Sequence, residues 1–279
     1  MTDTHILRIE CADQKGLVHK ITGVLYKKGL NIVQNGEFVD HETGRFFMRT
    51  EFSGRPDPKK IVRELGRLLP PRAVVELDRH RKKNIVIFAT QEPHCLGDLL
   101  LRHAYGELNA HVLAVISNHP ALGGLARRFG IRFHDVPHRN LTRERHEKTL
   151  LKALARYRPE YLVLAKYMRI LSDEFVTKFP NRIINIHHSF LPAFAGAEPY
   201  RQAADRGVKI IGATAHFVTE ELDQGPIIAQ GVVPVDHSHS VSDMSQAGRD
   251  VEKIVLARAL RLAFEDRIFV SGNKTILFD

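Results

Sequence analysis

Residues Arg182–His188 read RIINIHH, and the chain continues through SFLPAFAG to Gly196. A core strand of an α/β sheet normally carries Val, Ile and Leu throughout. This one finishes in an amide, two imidazoles and a hydroxyl before a proline-broken loop. Polar groups at a buried strand end need partners or a task. Side chains two apart on a strand share a face, so Asn185 and His187 point the same way. Strand ends of this kind are where doubly wound α/β folds place their ligand crevice. Asn185 and His187 could there offer N–H groups to an oxygen gaining negative charge, or be a satisfied polar strand end.

Working outward, the flanking sequence keeps one rhythm from about residue 84. NIVIFAT, AHVLAVIS, IRFHDV, EYLVLAKY and RIINIHH are short apolar strands separated by helical stretches. That alternation predicts a parallel α/β sheet covered by helices. VKIIGATAHFV and PIIAQGVVPV add two strands. A long helix follows over VSDMSQAGRDVEKIVLARALRLAFED, with Ser242 as the expected N-cap, and a hairpin turning at Gly272-Asn273 closes the chain.

Before residue 83 the pattern is different. THILRIECA reads as a strand, and Leu17, Val18, Ile21, Val24 and Leu25 then recur at helical spacing up to Gly29. Two strands joined by HETG, a helix with Pro58 in its first turn and the strand AVVELD complete a βαββαβ, ferredoxin-like order. The fold class is therefore α/β in two parts. A small module with its linker is expected over 1–83 and a Rossmann-like domain with a mostly parallel sheet over 84–279.

The chain has 279 residues, 43% hydrophobic and 26% charged, within the range of a globular protein that builds its core without staples. Two cysteines make no disulfide framework. MTDTHILRIE lacks the basic and apolar regions of a signal peptide, and no aliphatic run approaches a membrane span. A cytoplasmic protein without membrane contact is expected. The net charge of +9 is dispersed apart from DRHRKK at 78–83. No nucleic-acid motif accompanies it, so no nucleic-acid partner is expected. The charge is read as solvated surface with a mild field for small anions.

The phosphate-binding signatures G-x-G-x-x-G and G-x-x-x-x-G-K-[ST] are both missing. TQEPHCLGDLL, at the first strand-to-helix turn of the larger domain, has no glycine cluster to cradle phosphate. A metal site is not expected either. His187 and His188 are adjacent and on a strand would face opposite ways. His237 and His239 lie in a polar loop, and 16 histidines make incidental pairs common.

A second polar island is HFVTEELDQGPIIAQ, with Asp223 two residues before Gly225. Asp in D-x-G usually makes an Asx-turn. It could also be a carboxylate held beside the strand end, raising the pKa of an imidazole and moving protons. LAKYMRILS, 164–172, ends another strand and offers Met168, Ile170 and Leu171 to a flat apolar ligand, or simply runs into a helix. The residues alone lead to an acyl-type or proton-transfer site.

NIHHSFLPAF, GATAHFV, LDQGPIIAQ and MRILS together resemble the formyltransferase family that uses 10-formyltetrahydrofolate, and HCLGDLL, ISNH and AGRDVEK fit the same resemblance. The first eighty residues, with DQKGLV between strand and helix, resemble an ACT domain. The resemblance covers essentially the whole chain and implies catalytic roles for Asn185, His187 and Asp223. It implies folate contacts at Met168, Arg169, Ile170, Leu171, His188 and Ser189, with Glu220 and Leu222 in a loop closing over the pterin. Ala195 and Glu198 depart from the family pattern.

Without a phosphate cradle or a further basic domain after the hairpin, the expected reaction is hydrolysis of the N10-formyl group to formate and tetrahydrofolate, feeding one-carbon and purine metabolism. Asn185 and a protonated His187 would stabilise the oxyanion, with Asp223 raising the His187 pKa. Folate is then substrate, and no tightly bound cofactor is expected. Formyl transfer to an amine and a catalytically silent amino-acid sensor are the alternative readings. The ACT resemblance implies a homo-oligomer and an amino-acid effector near Asp13, Gly16, Leu17, Val18 and Asn31.

Overall fold

The computed structural model describes residues 4–192 and 199–279. It divides into two compact units. The first comprises residues up to Arg81 together with Glu265–Phe269 and Phe278–Asp279, and the second Lys82–Phe264 with Val270–Leu277. The chain thus returns to the first unit at its end, which a single cut after residue 83 does not convey.

The first unit runs β1 (Thr4–Ala12), α1 (Leu17–Lys27), β2 (Asn31–Asp40), β3 (Arg45–Ser53), α2 (Pro58–Leu68) and β4 (Val74–Arg79). Its sheet order is β2-β3-β1-β4, with β1 antiparallel to both neighbours and Leu7 opposite Thr50 and Leu77. Alternate β1 residues Leu7, Ile9 and Cys11 share one core with Leu17, Ile21 and Leu25 of α1 and Ile61 and Leu65 of α2. The two periods, 2 and 3.6, meet there. The Asp57 carboxylate accepts from the Lys60 backbone N–H, so α2 starts with a side-chain cap followed by proline. The buried Arg49 guanidinium donates to the carbonyls of Glu265 and Asp266, which is how this unit holds its late segment. Of the expected effector residues, Asp13, Gly16, Val18 and Asn31 are exposed. Leu17 packs its side chain into the core instead, because it occupies the inward position of the first helical turn.

The second unit contains β5 (Lys83–Ala89), α3 (His94–Ala104), β6 (Ala110–Ser117), α4 (Gly123–Arg128), β7 (Phe133–Asp135), α5 (Arg143–Leu154), β8 (Tyr161–Leu164), α6 (Asp173–Val176), β9 (Ile183–His187), α7 (Pro199–Asp205), β10 (Ile210–Phe217), β11 (Ile227–Pro234) and α8 (Val241–Phe264). The C-terminal hairpin is β12 (Ile268–Ser271) and β13 (Lys274–Leu277), turning at Gly272 with φ 58°. The sheet order is β11-β10-β9-β8-β5-β6-β7. Strands β5 to β9 are parallel, and β10 and β11 are antiparallel to their neighbours. The chain moves from β5 to one edge through β6 and β7, then restarts on the other side at β8. The strand order therefore reverses between β5 and β8, the place where such sheets open a crevice.

Ser242 lies inside α8 rather than at its cap. The cap is Ser240, whose Oγ accepts from the Asp243 N–H at 3.2 Å while the Asp243 carboxylate accepts from the Ser240 N–H at 2.9 Å. This reciprocal arrangement satisfies two orphan donors at once, which Ser242 could not do. No helix among the described residues is long and apolar enough to cross a membrane.

Candidate active site

Strand β9 is buried because its isoleucines, Ile183, Ile184 and Ile186, fill both sides of the sheet. Its partner β10 sets His216 opposite Asn185 and Thr214 opposite His187. The His216 Nδ1–H donates to the Phe217 carbonyl at 2.9 Å, which leaves Nε2 to accept from the Asn185 amide at 3.3 Å. The amide of Asn185 is thereby oriented by a histidine that sequence reading had quoted only as part of a motif.

Asp223 reaches this strand end from the loop after β10. Its backbone is left-handed, with φ 55°. A Cβ at Gly225 would overlap the Phe217 carbonyl, so only glycine lets the loop fold back this closely. The Phe217 N–H bonds to the Pro226 carbonyl at 2.9 Å and fixes the return. The Asp223 carboxylate then lies 3.3 Å from His187 Nδ1 and 3.6 Å from His216 Nε2. Burial raises the Asp223 carboxyl, but the His216 and His187 rings beside it outweigh that and hold the group below the usual carboxylate range.

His187 is buried, and its Nε2 has no partner among the described residues. Burial pushes its pKa down, and Asp223 pulls it up; His216 and Lys166 add to the downward side. The net direction is below the ordinary value, opposite to the expectation of a protonated ring. Desolvation of the cation exceeds the gain from one partly exposed carboxylate.

His188 also departs from expectation. The strand ends at His187, so the two imidazoles do not face opposite ways. They stack, with centroids 5.0 Å apart and planes 25° from parallel. Burial and then Lys166 push His188 down to about 4, which keeps it neutral. Ser189 is buried; its carbonyl accepts from Thr214 Oγ1 at 2.9 Å, and Gln230 Nε2 donates to Thr214 Oγ1 and to the Leu191 carbonyl, both at 3.0 Å. Thr214 and Gln230 thus pin the turn that follows β9.

Of the residues to which the resemblance assigns folate contacts, Met168 is 59% exposed, Ile170 52% and Leu222 57%, while Leu171 is packed against the core. Arg169 is half-buried and Glu220 exposed. The apolar side chains at 168, 170 and 222 are those that would need covering. Ala195 and Glu198 lie outside the described residues.

Sequence reasoning missed a buried group beside the two histidines. Glu252 of α8 accepts from Tyr200 Oη at 2.9 Å, lies 2.7 Å from His94 Nε2 and pairs with Lys166 Nζ at 3.4 Å. A Cβ at Gly248 would overlap the Tyr200 hydroxyl, so that glycine makes room for the bond. The motifs LAKYMRIL, HCLGDLL and AGRDVEK each carry one member, but nothing in their spacing says that they meet. His94, Cys95 and Glu252 place donor atoms within 4.8 Å of one another. The Lys166 ammonium already balances Glu252, and burial drives the Cys95 thiol far up, so this donor set suits an ion pair better than a metal.

Residues 83–260 match the formyl transferase family model and residues 5–70 the ACT domain model. The chain is 56% identical to the formyltetrahydrofolate deformylase of Escherichia coli (strain K12), over 98% of this chain and 97% of that protein. The solved formyltetrahydrofolate deformylase of Pseudomonas syringae pv. tomato str. DC3000 superposes with a TM-score of 0.96 at 39% identity, covering 100% of this chain and 95% of that one. The glycinamide ribonucleotide transformylase 1 of Symbiobacterium toebii matches at a TM-score of 0.67 and 35% identity, covering 71% of this chain and 95% of that one. With an ACT unit ahead of a formyltransferase unit and full-length likeness to these enzymes, the chain belongs to the formyltetrahydrofolate deformylase family.

Proposed function

We infer that the chain is a hydrolase that converts 10-formyltetrahydrofolate to formate and tetrahydrofolate, products that feed one-carbon and purine metabolism. The supporting observation is the meeting of Asn185, His187 and Asp223 at the carboxyl end of β9, with His187 Nδ1 3.3 Å from Asp223.

In this reading the folate rests against Met168, Ile170 and Leu222, with Arg169, Leu171, His188, Ser189 and Glu220 around it. The Asn185 amide donates to the formyl oxygen as it becomes an oxyanion, a role whose loss costs about 100- to 1,000-fold in rate. With Nδ1–H directed at Asp223, the neutral His187 presents the Nε2 lone pair to water. Water oxygen bonds to the formyl carbon and its proton passes to Nε2, the resulting imidazolium being balanced by Asp223. The C–N10 bond then breaks, and that proton moves to N10.

Formate and tetrahydrofolate released in equal amounts, with no acceptor present, are the expected result for the purified protein. Release that requires an added amine would overturn the reading.

An amino-acid effector for the ACT unit, bound near the exposed Asp13, Gly16, Val18 and Asn31, and a homo-oligomeric assembly belong to the same proposal. It is supported by the ACT match over residues 5–70. A monomer by light scattering whose activity ignores all twenty amino acids would remove that part. A reducing, cytoplasmic setting is consistent with Cys11 and Cys95 being free and buried.

A further inference from the structure

The buried cluster around Glu252 takes no part in the chemistry above. It stands at the reversal of strand order, where Lys166 follows β8 and His94 follows β5. The side chains are 5%, 9% and 1% exposed for Lys166, His94 and Glu252. Both oxygens of Glu252 are engaged, one by Tyr200 and the other by His94 and Lys166. From Tyr200 the cluster continues to His188 at a centroid distance of 6.4 Å, and His188 stacks on His187. On its outer side, His94 forms one wall of a cavity of about 430 Å³ between Glu92 and Gln246, Arg249 and Lys253 of α8. The cavity, His94, Glu252, Tyr200 and His188 therefore form one chain of contacts that ends on the catalytic imidazole.

Two physical considerations give this chain of contacts a meaning. Sheets of this topology receive a ligand at the strand reversal, and here His94 and Lys166 stand at that position, both bonded to Glu252. A buried ion pair is weak evidence for stability, because apolar residues of like volume usually serve as well. The shared fold of the solved transformylase indicates that choice of nucleophile lies with side chains and not with the sheet.

We propose that Lys166, Glu252, His94 and Tyr200 are the specificity-determining residues of the reaction: they close the strand-reversal crevice to amine acceptors and leave access to the formyl carbon for water alone. The proposal rests on the hydrolysis reading. If the cluster is opened, an amine nitrogen bonds to the formyl carbon, the C–N10 bond breaks, and the amine's proton passes through His187 to N10. The products are then an N-formyl amine and tetrahydrofolate, with no change of oxidation state.

The test uses the full-length protein, 10-formyltetrahydrofolate and three probe amines of rising size: ammonia, hydroxylamine and glycinamide. The N-formyl product is measured against formate. In the unaltered protein, formylation should fall steeply with amine size and be negligible for glycinamide. His94→Ala should raise the glycinamide-to-formate ratio about tenfold or more, the scale of discrimination that one pocket group provides. An unchanged ratio in folded His94→Ala that still releases tetrahydrofolate overturns the proposal and leaves hydrolysis standing. Should that variant fail to fold, the size series decides: glycinamide formylated by the unaltered protein as readily as ammonia overturns the proposal. No formate from the unaltered protein without an amine overturns both readings.

Discussion

The Asp223 carboxylate lies 3.3 Å from His187 Nδ1, on a loop whose left-handed backbone at Asp223 and close approach at Gly225 bring it there. Asp223→Asn keeps the shape and removes the charge that balances the imidazolium. A fall in kcat of about 100- to 10,000-fold with little change in folate KM is expected, checked by steady-state release of tetrahydrofolate. Near-normal kcat would detach Asp223 from the chemistry.

The pH dependence follows from His187. Burial outweighs Asp223 and sets its pKa below 6.5, so Nε2 can accept a proton across the neutral range. kcat/KM should be flat above pH 6.5 and fall on the acid side as the ring becomes protonated. In Asp223→Asn the upward pull is gone, and the acid limb of whatever activity remains should move to lower pH. A profile that falls on raising the pH through 6.5 would show that the protonated ring is the active form.

His188 links pH to stability. Its folded pKa is lowered from 6.5 to about 4, so the unfolded chain binds the proton first. This contribution to stability is complete above pH 6.5, is lost progressively as the pH falls towards 4, and changes no further below that. Denaturant midpoints measured across this window should fall less steeply in His188→Gln than in the unaltered protein.

Gly225→Ala puts a methyl against the Phe217 carbonyl, and the loop must shift with Asp223 on it. Since a displacement of about 1 Å can cost about 100-fold in rate, kcat should drop by that order while the far sheet edge is untouched. Unchanged kcat would mean that the loop position does not set the carboxylate.

Gly248→Ala drives a methyl into the Tyr200 hydroxyl and breaks its 2.9 Å bond to Glu252. A buried polar atom left unpaired typically costs about 1–3 kcal/mol, and more on a charged group such as this carboxylate. A lower denaturant midpoint is expected, and Tyr200→Phe should show part of the same loss without the overlap.

Much of the fold was legible because it follows from periodicity. The alternation in β1, the 3.6-residue spacing of α1 and the apolar runs of β5, β6, β8 and β9 are properties of short windows, and the elements stand where those patterns put them. The cap of α8 was placed two residues late, because Ser240 and Ser242 look alike until the reciprocal bond with Asp243 distinguishes them.

For the site, the sequence by itself determined which residue types were present and that Asn185 and His187 share a face, since a strand's period of two is local. Only the tertiary structure decided the rest. That Asp223 meets His187, that His188 leaves the strand and stacks on its neighbour, and that Lys166, His94 and Tyr200 converge on Glu252 are facts of long-range approach. So is the charge state of His187, because desolvation depends on what surrounds a group in space, and chain order carries no measure of that.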